Sequence, residues 1–113
     1  MAGDSVELLR GTLDLLILRS LAAGALHGYA VMRWIEEASG GMLAIEEGSL
    51  YPALYRLVDR DWIDSDWGVS ENNRRARFYR LTPKGRAELK AQIRGFTRFT
   101  EAVFRTLKPP ATA

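Results

Sequence analysis

The chain contains no cysteine and one histidine, His27, among its 113 residues. The first absence excludes disulfides, thiolate metal sites and a cysteine nucleophile. The second leaves a histidine-based triad a single possible base and rules out a multi-histidine metal site. His27 reads most simply as a helix-start residue near the surface. Long hydrophobic runs are also missing: nowhere are there 18 continuous apolar residues, and no apolar run follows a basic segment at the N-terminus. Secretion and membrane spanning are therefore not expected, and a cytoplasmic setting is. Carboxylate pairs do occur, Glu36-Glu37 and Glu46-Glu47, but they are sequence neighbours rather than a converging pair. No nucleophile and base accompany them, so the chain does not read as an enzyme, and no cofactor or metal is expected.

The length fits one domain, and 47% hydrophobic residues suffice for a modest core. Net charge is only +2, yet it is unevenly placed. Nine acids (Glu36, Glu37, Glu46, Glu47, Asp59, Asp61, Asp64, Asp66, Glu71) face only Arg56 and Arg60 between Ile35 and Glu71. From Asn72 to Lys90, seven bases (Arg74, Arg75, Arg77, Arg80, Lys84, Arg86, Lys90) face only Glu88. A basic segment on a nearly neutral protein is the electrostatic footprint of a small nucleic-acid binder.

The stretch Glu46–Ile63 is central. Leu50, Ala53, Leu54, Leu57 and Val58 repeat at helical spacing and form one apolar stripe. Ser49, Tyr51, Pro52, Tyr55 and Arg56 lie on the other face. Ser49 is the best N-cap by chemistry, which puts Pro52 at the third helical position, where no intrahelical donor is lost. Hydroxyls, a guanidinium and flat rings facing outward suit a DNA groove; the plainer reading packs the tyrosines under a neighbouring loop. Arg56 can reach guanine, or be held by Asp59 one turn on.

Around this helix the other elements follow from pattern. From Leu8, a helix buries Leu9, Leu13, Leu16, Ile17 and Leu21, widened by Leu15 and Leu18. So wide an apolar surface implies cover on more than one side. Ala22–Leu26 is a turn. His27-Gly28-Tyr29 opens a second helix with Val31, Met32, Ile35 and Ala38 inward, ending at Ser39-Gly40-Gly41. Met42–Ile45 is long enough for one brief strand. Trp62–Trp67 alternates like a strand, with Ile63 and Trp67 on one face, and Arg77–Leu81 returns with Tyr79 and Leu81 together. The loop between them carries Asn72, Asn73, Arg74 and Arg75. Thr82-Pro83 then starts a helix to about Leu107. Leu89, Ile93, Phe96, Val103 and Leu107 make a heptad seam, widened by Phe99 and Phe104. A helix of roughly 37 Å at 1.5 Å per residue is too long for so small a domain to cover, so part of its face is expected to pack on a second copy.

The fold class is thus mainly α with a small β-hairpin: a winged helix-turn-helix over residues 8–82 plus a C-terminal dimerisation helix over 83–107. The dimer interface is expected at Leu9, Leu89, Ile93, Phe96, Phe99, Val103 and Leu107. A winged helix used only for protein contacts is the rival reading, and the clustered wing arginines speak against it.

Several motifs carry a family resemblance. They are Gly11-Thr12-Leu13-Asp14-Leu15-Leu16-Ile17-Leu18, His27-Gly28-Tyr29, Gly48-Ser49-Leu50-Tyr51-Pro52-Ala53-Leu54, Arg56-Leu57, Asn73-Arg74-Arg75-Ala76-Arg77-Phe78-Tyr79 and Leu81-Thr82-Pro83-Lys84-Gly85. In this order and spacing the chain resembles the PadR transcriptional regulators over about residues 8 to 90. The resemblance implies a homodimeric repressor that binds double-stranded DNA at short inverted repeats, in many members released by an effector. It places Ser49, Tyr51, Pro52 and Tyr55 on the recognition helix and Arg74, Arg75 and Arg77 on the wing as phosphate or minor-groove contacts. Phe78 stands where the family commonly has tyrosine. Some relatives bind flat aromatic compounds through a tryptophan in the last helix; here that helix has Phe96 and Phe99 instead. A small aromatic effector, drawing on these rings or on Trp34, Trp62 and Trp67, competes with a packing role for the same side chains.

Overall fold

Four helices and a three-stranded sheet make up the computed structural model, which describes residues 11–110. In chain order the elements are α1 (Thr12–Ser20), β1 (Leu26–His27), α2 (Gly28–Ala38), α3 (Glu47–Asp59), β2 (Ile63–Val69), β3 (Arg75–Leu81) and α4 (Pro83–Leu107). The sheet is antiparallel in the order β1-β3-β2. This is a winged helix, mainly α with a small hairpin. The expected start of the first helix at Leu8, and Leu9 with it, lie outside the described residues.

Helical periodicity sets the core. Ile17, Leu18 and Leu21 meet Val31 and Ile35 of α2, Leu50, Ala53, Leu54 and Leu57 of α3, and Ile63, Tyr79 and Leu81 of the sheet. Fully burying one such side chain contributes about 1.5–3 kcal/mol, so this cluster is the main source of stability. Two inward assignments fail at helix ends. Val58 and Ala38 are exposed: Val58 lies at the edge of the stripe, beside the fully buried Leu57, and Ala38 is the last residue of α2.

The start of α3 also differs from expectation. Glu46, in extended conformation, is the N-cap and makes no side-chain capping bond, whereas Ser49 lies inside the first turn. Pro52 is consequently the sixth helical residue. Its missing N–H deprives the Gly48 carbonyl of its usual donor. Gly48 is exposed, so that carbonyl is not buried.

Met42–Ile45 forms no strand. The third strand is instead Leu26–His27, on the other side of α2, paired with Tyr79 and Phe78 of β3. His27 is the N-cap of α2: its Nδ1 accepts from the Ala30 amide at 3.2 Å. It is buried, not near the surface, because the sheet covers it and Phe78 meets its ring edge-on at 5.4 Å.

At the other end of the sheet, Thr82 caps α4 by accepting from the Gly85 amide at 2.9 Å, with Pro83 at the first helical position. The Thr82 hydroxyl also donates to the Asp61 carbonyl at 2.6 Å. Gly85 is pressed against the Trp62 carbonyl, and a Cβ there would overlap it. These contacts fix the angle at which α4 leaves the domain. Leu89 is only 6% exposed and belongs to the domain's own core, which removes it from the expected dimer seam. Beyond it, Ile93, Phe96, Phe99, Val103, Phe104 and Leu107 are 37–70% exposed. No helix among the described residues is long and apolar enough to cross a membrane.

Candidate nucleic-acid interface

Burying the apolar stripe of α3 turns Ser49, Tyr51, Pro52, Tyr55 and Arg56 outward. Tyr55 is 71% exposed and Tyr51 38%. Tyr51 leans on the first turn of α2. A Cβ on Gly28 would lie 2.7 Å from its hydroxyl oxygen, so any larger residue there would make the ring shift. The packing alternative therefore describes Tyr51 in part, while Tyr55 stands free of it.

Arg56 is held neither by Asp59 nor left open. Its Nη2 donates to Asp14 of α1 at 2.8 Å, and Arg60 lies 3.7 Å from the other oxygen of the same carboxylate. The Asp14 side chain is only 10% exposed, so it needs this partner. Arg56 ties α3 to α1 through a partner other than the expected Asp59, while about half of its side chain stays exposed.

The wing sorts its arginines into two sets. Arg80 pairs with Asp64 at 2.8 Å. Arg74, Arg75 and Arg77 have no carboxylate partner among the described residues. Arg75 and Arg77 instead lie over Trp67, at 4.4 and 5.1 Å from the ring centroid, and Arg77 Nε donates to Ser65 Oγ at 3.1 Å. Strand pairing extends further than its sequence pattern suggested, from Ile63↔Leu81 to Val69↔Arg75, so Arg75 is a strand residue. The tip is short. Ser70 and Arg74 close it through main-chain bonds, and Asn73 occupies the left-handed region at φ 59, which asparagine tolerates well. Asn73 thus shapes the turn while remaining exposed.

Glu71, the one acid of the tip, reaches back to α2. Its carboxylate lies 3.4 Å from His27 Nε2 and 3.6 Å from Arg33. Because His27 Nδ1 accepts from Ala30, the neutral ring carries its proton on Nε2, facing Glu71. The Glu71 pKa is lowered, first by a hydrogen bond from its own backbone amide and then by His27, with Arg33 adding to it. At the wing base, burial raises the Tyr79 phenol; Arg77 opposes this, while Tyr51 and Tyr55 lie near enough to add to it.

Asp14, Glu71 and Trp67 are the contributors that sequence reasoning passed over. The register does pair Trp67 with Arg77, which reading the hairpin as symmetric about its tip would have caught. Asp14 and Glu71 act across 42 and 44 residues and left no local signal.

Residues 17–91 match the Transcriptional regulator PadR-like family. The chain belongs to that family. PadR-like proteins are transcription regulators, not enzymes. A transcriptional regulator from Clostridium thermocellum has the same fold, with a TM-score of 0.79 and 29% identity over 88% of this chain and 93% of that one. Bacillus subtilis PadR, solved in complex with operator DNA, aligns with a TM-score of 0.66 and 26% identity over 75% of this chain and 47% of its own. An uncharacterised 37.1 kDa protein of transposon TN4556 from Streptomyces fradiae is 38% identical over 96 residues. This chain spans about a quarter of that protein's length.

Proposed function

We propose that this PadR-like regulator is a repressor that binds a short inverted repeat in double-stranded DNA as a homodimer, in a cytoplasmic setting. The observation that carries the reading is the charge sorting on the wing. Paired arginines hold the fold together, while Arg74, Arg75 and Arg77 are left for phosphate beside the open Tyr55 of α3. In this division Tyr55, with Ser49, Tyr51 and Pro52, reads the major groove, and the wing supplies affinity and salt dependence. Residues 8–82 form the DNA-binding part and 83–107 the dimerisation helix. The exposed apolar seam beyond Leu89 supports the dimer, because a lone chain leaves it in water.

An effector also has a place in this reading. A mostly apolar groove of about 450 Å³ lies between α1 and α4, lined by Leu15, Gln92, Phe96 and Phe99 among others. It suits a small planar aromatic compound seated beside the partner subunit. Incubating the protein with fragmented genomic DNA and sequencing what it retains tests the main claim. Recovery of one inverted-repeat sequence supports it, and retention without sequence preference refutes it.

A further inference from the structure

The hairpin register gives the wing two unlike faces. One carries Ser65, Trp67 and Val69 opposite Tyr79, Arg77 and Arg75; the other carries Asp64, Asp66 and Gly68 opposite Arg80, Phe78 and Ala76. At the base, the first face is the one buried in the core, through Ile63, Tyr79 and Leu81. Toward the tip the same face emerges into solvent with Trp67 53% exposed and Val69 more so. An exposed tryptophan holding two guanidiniums within 5.1 Å of its centroid is unusual for a solvated surface. The ring offsets the repulsion between the two cations and orders both side chains, while Ser65 fixes Arg77 a second time. On the opposite face Arg80 is taken up by Asp64 and Asp66 adds a negative charge, so the strand arginines without a carboxylate partner among the described residues are on the tryptophan face.

We propose that Trp67, Arg75 and Arg77 act as one reader of narrow, A·T-rich minor groove flanking the operator, with Trp67 the positioning residue that presents the arginines. This rests on the reading that the wing meets DNA. The minor groove is about 6 Å wide and degenerate in its hydrogen-bonding edges, so it rewards shape rather than side-chain donors. Where it narrows at A-tracts its negative potential deepens and draws in arginine. Two guanidiniums held over one ring, with Val69 beside them to meet deoxyribose, are placed to enter such a slot together while the ring stays at its mouth. Holding two rotamer-rich side chains in place before binding spares part of the ordering cost of association, roughly 5- to 100-fold in affinity for the pair.

The test uses the full chain and labelled duplexes carrying the repeat recovered from genomic DNA, flanked at the wing position by either an A-tract or G·C pairs. Wild type is expected to favour the A-tract flank. Trp67→Leu should lose roughly 5- to 100-fold on that duplex and bring the flank ratio close to one, with Trp67→Phe between them. Thermal unfolding of Trp67→Leu should stay close to wild type, because the ring is half exposed. A second measurement needs no change at Trp67. In the Trp34→Phe, Trp62→Phe protein, acrylamide quenching of the remaining tryptophan should fall when the A-tract duplex is added. Equal wild-type binding of the two flanks, an unaltered flank ratio in Trp67→Leu, or unaltered quenching overturns the proposal while leaving DNA binding intact. Failure of wild type to bind either duplex overturns both readings.

Discussion

Replacing Phe96 and Val103 together with aspartate is expected to convert the protein from dimer to monomer. The magnitude follows from the exposed seam on α4. Six apolar side chains from Ile93 to Leu107 are each about half exposed. Covering the exposed half of one contributes roughly 1 kcal/mol, so the twelve of a symmetric pair contribute about 12 kcal/mol. Association itself costs about 4–15 kcal/mol, so the dimer stands with little margin. Truncating two of the six on each protomer removes about 4 kcal/mol, close to 10³-fold in Kd. Four carboxylates that must then be dried add further cost. Sedimentation velocity over a micromolar concentration range reads the outcome, with circular dichroism to establish folding. Arg98→Asp, half a helical turn from the seam, is the control and should remain dimeric. An unmutated chain that sediments as a monomer, or a folded double variant that stays dimeric, refutes the reasoning.

Other expectations follow from single contacts. Tyr55→Ala should weaken cognate binding by roughly 1–3 kcal/mol and random binding much less, read by anisotropy on paired duplexes. Arg74→Ala should instead weaken both alike and flatten the dependence of log affinity on log salt by about one unit per subunit. Gly85→Ala must push α4 off the Trp62 carbonyl, destabilising the fold by at least about 3 kcal/mol and lowering Tm by more than roughly 10 °C. Glu71→Gln tests the link from wing tip to α2. The folded-state pKa of Glu71 is depressed, so its contribution is full above the ordinary carboxylate range and fades as pH falls through its folded value. Urea unfolding at neutral pH should separate the variant from wild type, and the difference should vanish in acid.

Much of the architecture was legible because it rests on local chemistry. The Thr82-Pro83 cap, the turn residues at the wing tip and the 3.6-residue period of α3 each act within a few residues of themselves. The errors share the opposite cause. Leu26–His27 is a strand only because β3 runs beside it, and two residues carry no period of their own. Ser49 has good capping chemistry, but the helix starts earlier, at Glu47, so Ser49 lies within its first turn. Arg56 was expected to reach guanine or to be held by Asp59, the acid in local view; its partner Asp14 sits on another helix. Leu89 fits the heptad as well as Ile93 does; only the fold shows that the domain covers the first and not the second. At the candidate interface, sequence chemistry named the wing arginines, but not the tryptophan over which two of them lie.

The most direct test of the central claim is a hydroxyl-radical footprint of the full chain on the sequence it retains from genomic DNA. Two symmetry-related α3 helices in successive major grooves predict two equivalent protected half-sites. Their centres should lie about one helical turn apart, roughly 10 base pairs, or a multiple of it, with weaker protection in the flanking minor grooves where the wings reach. A single protected half-site, or uniform protection without a repeat, would contradict the account of a homodimer reading an inverted repeat.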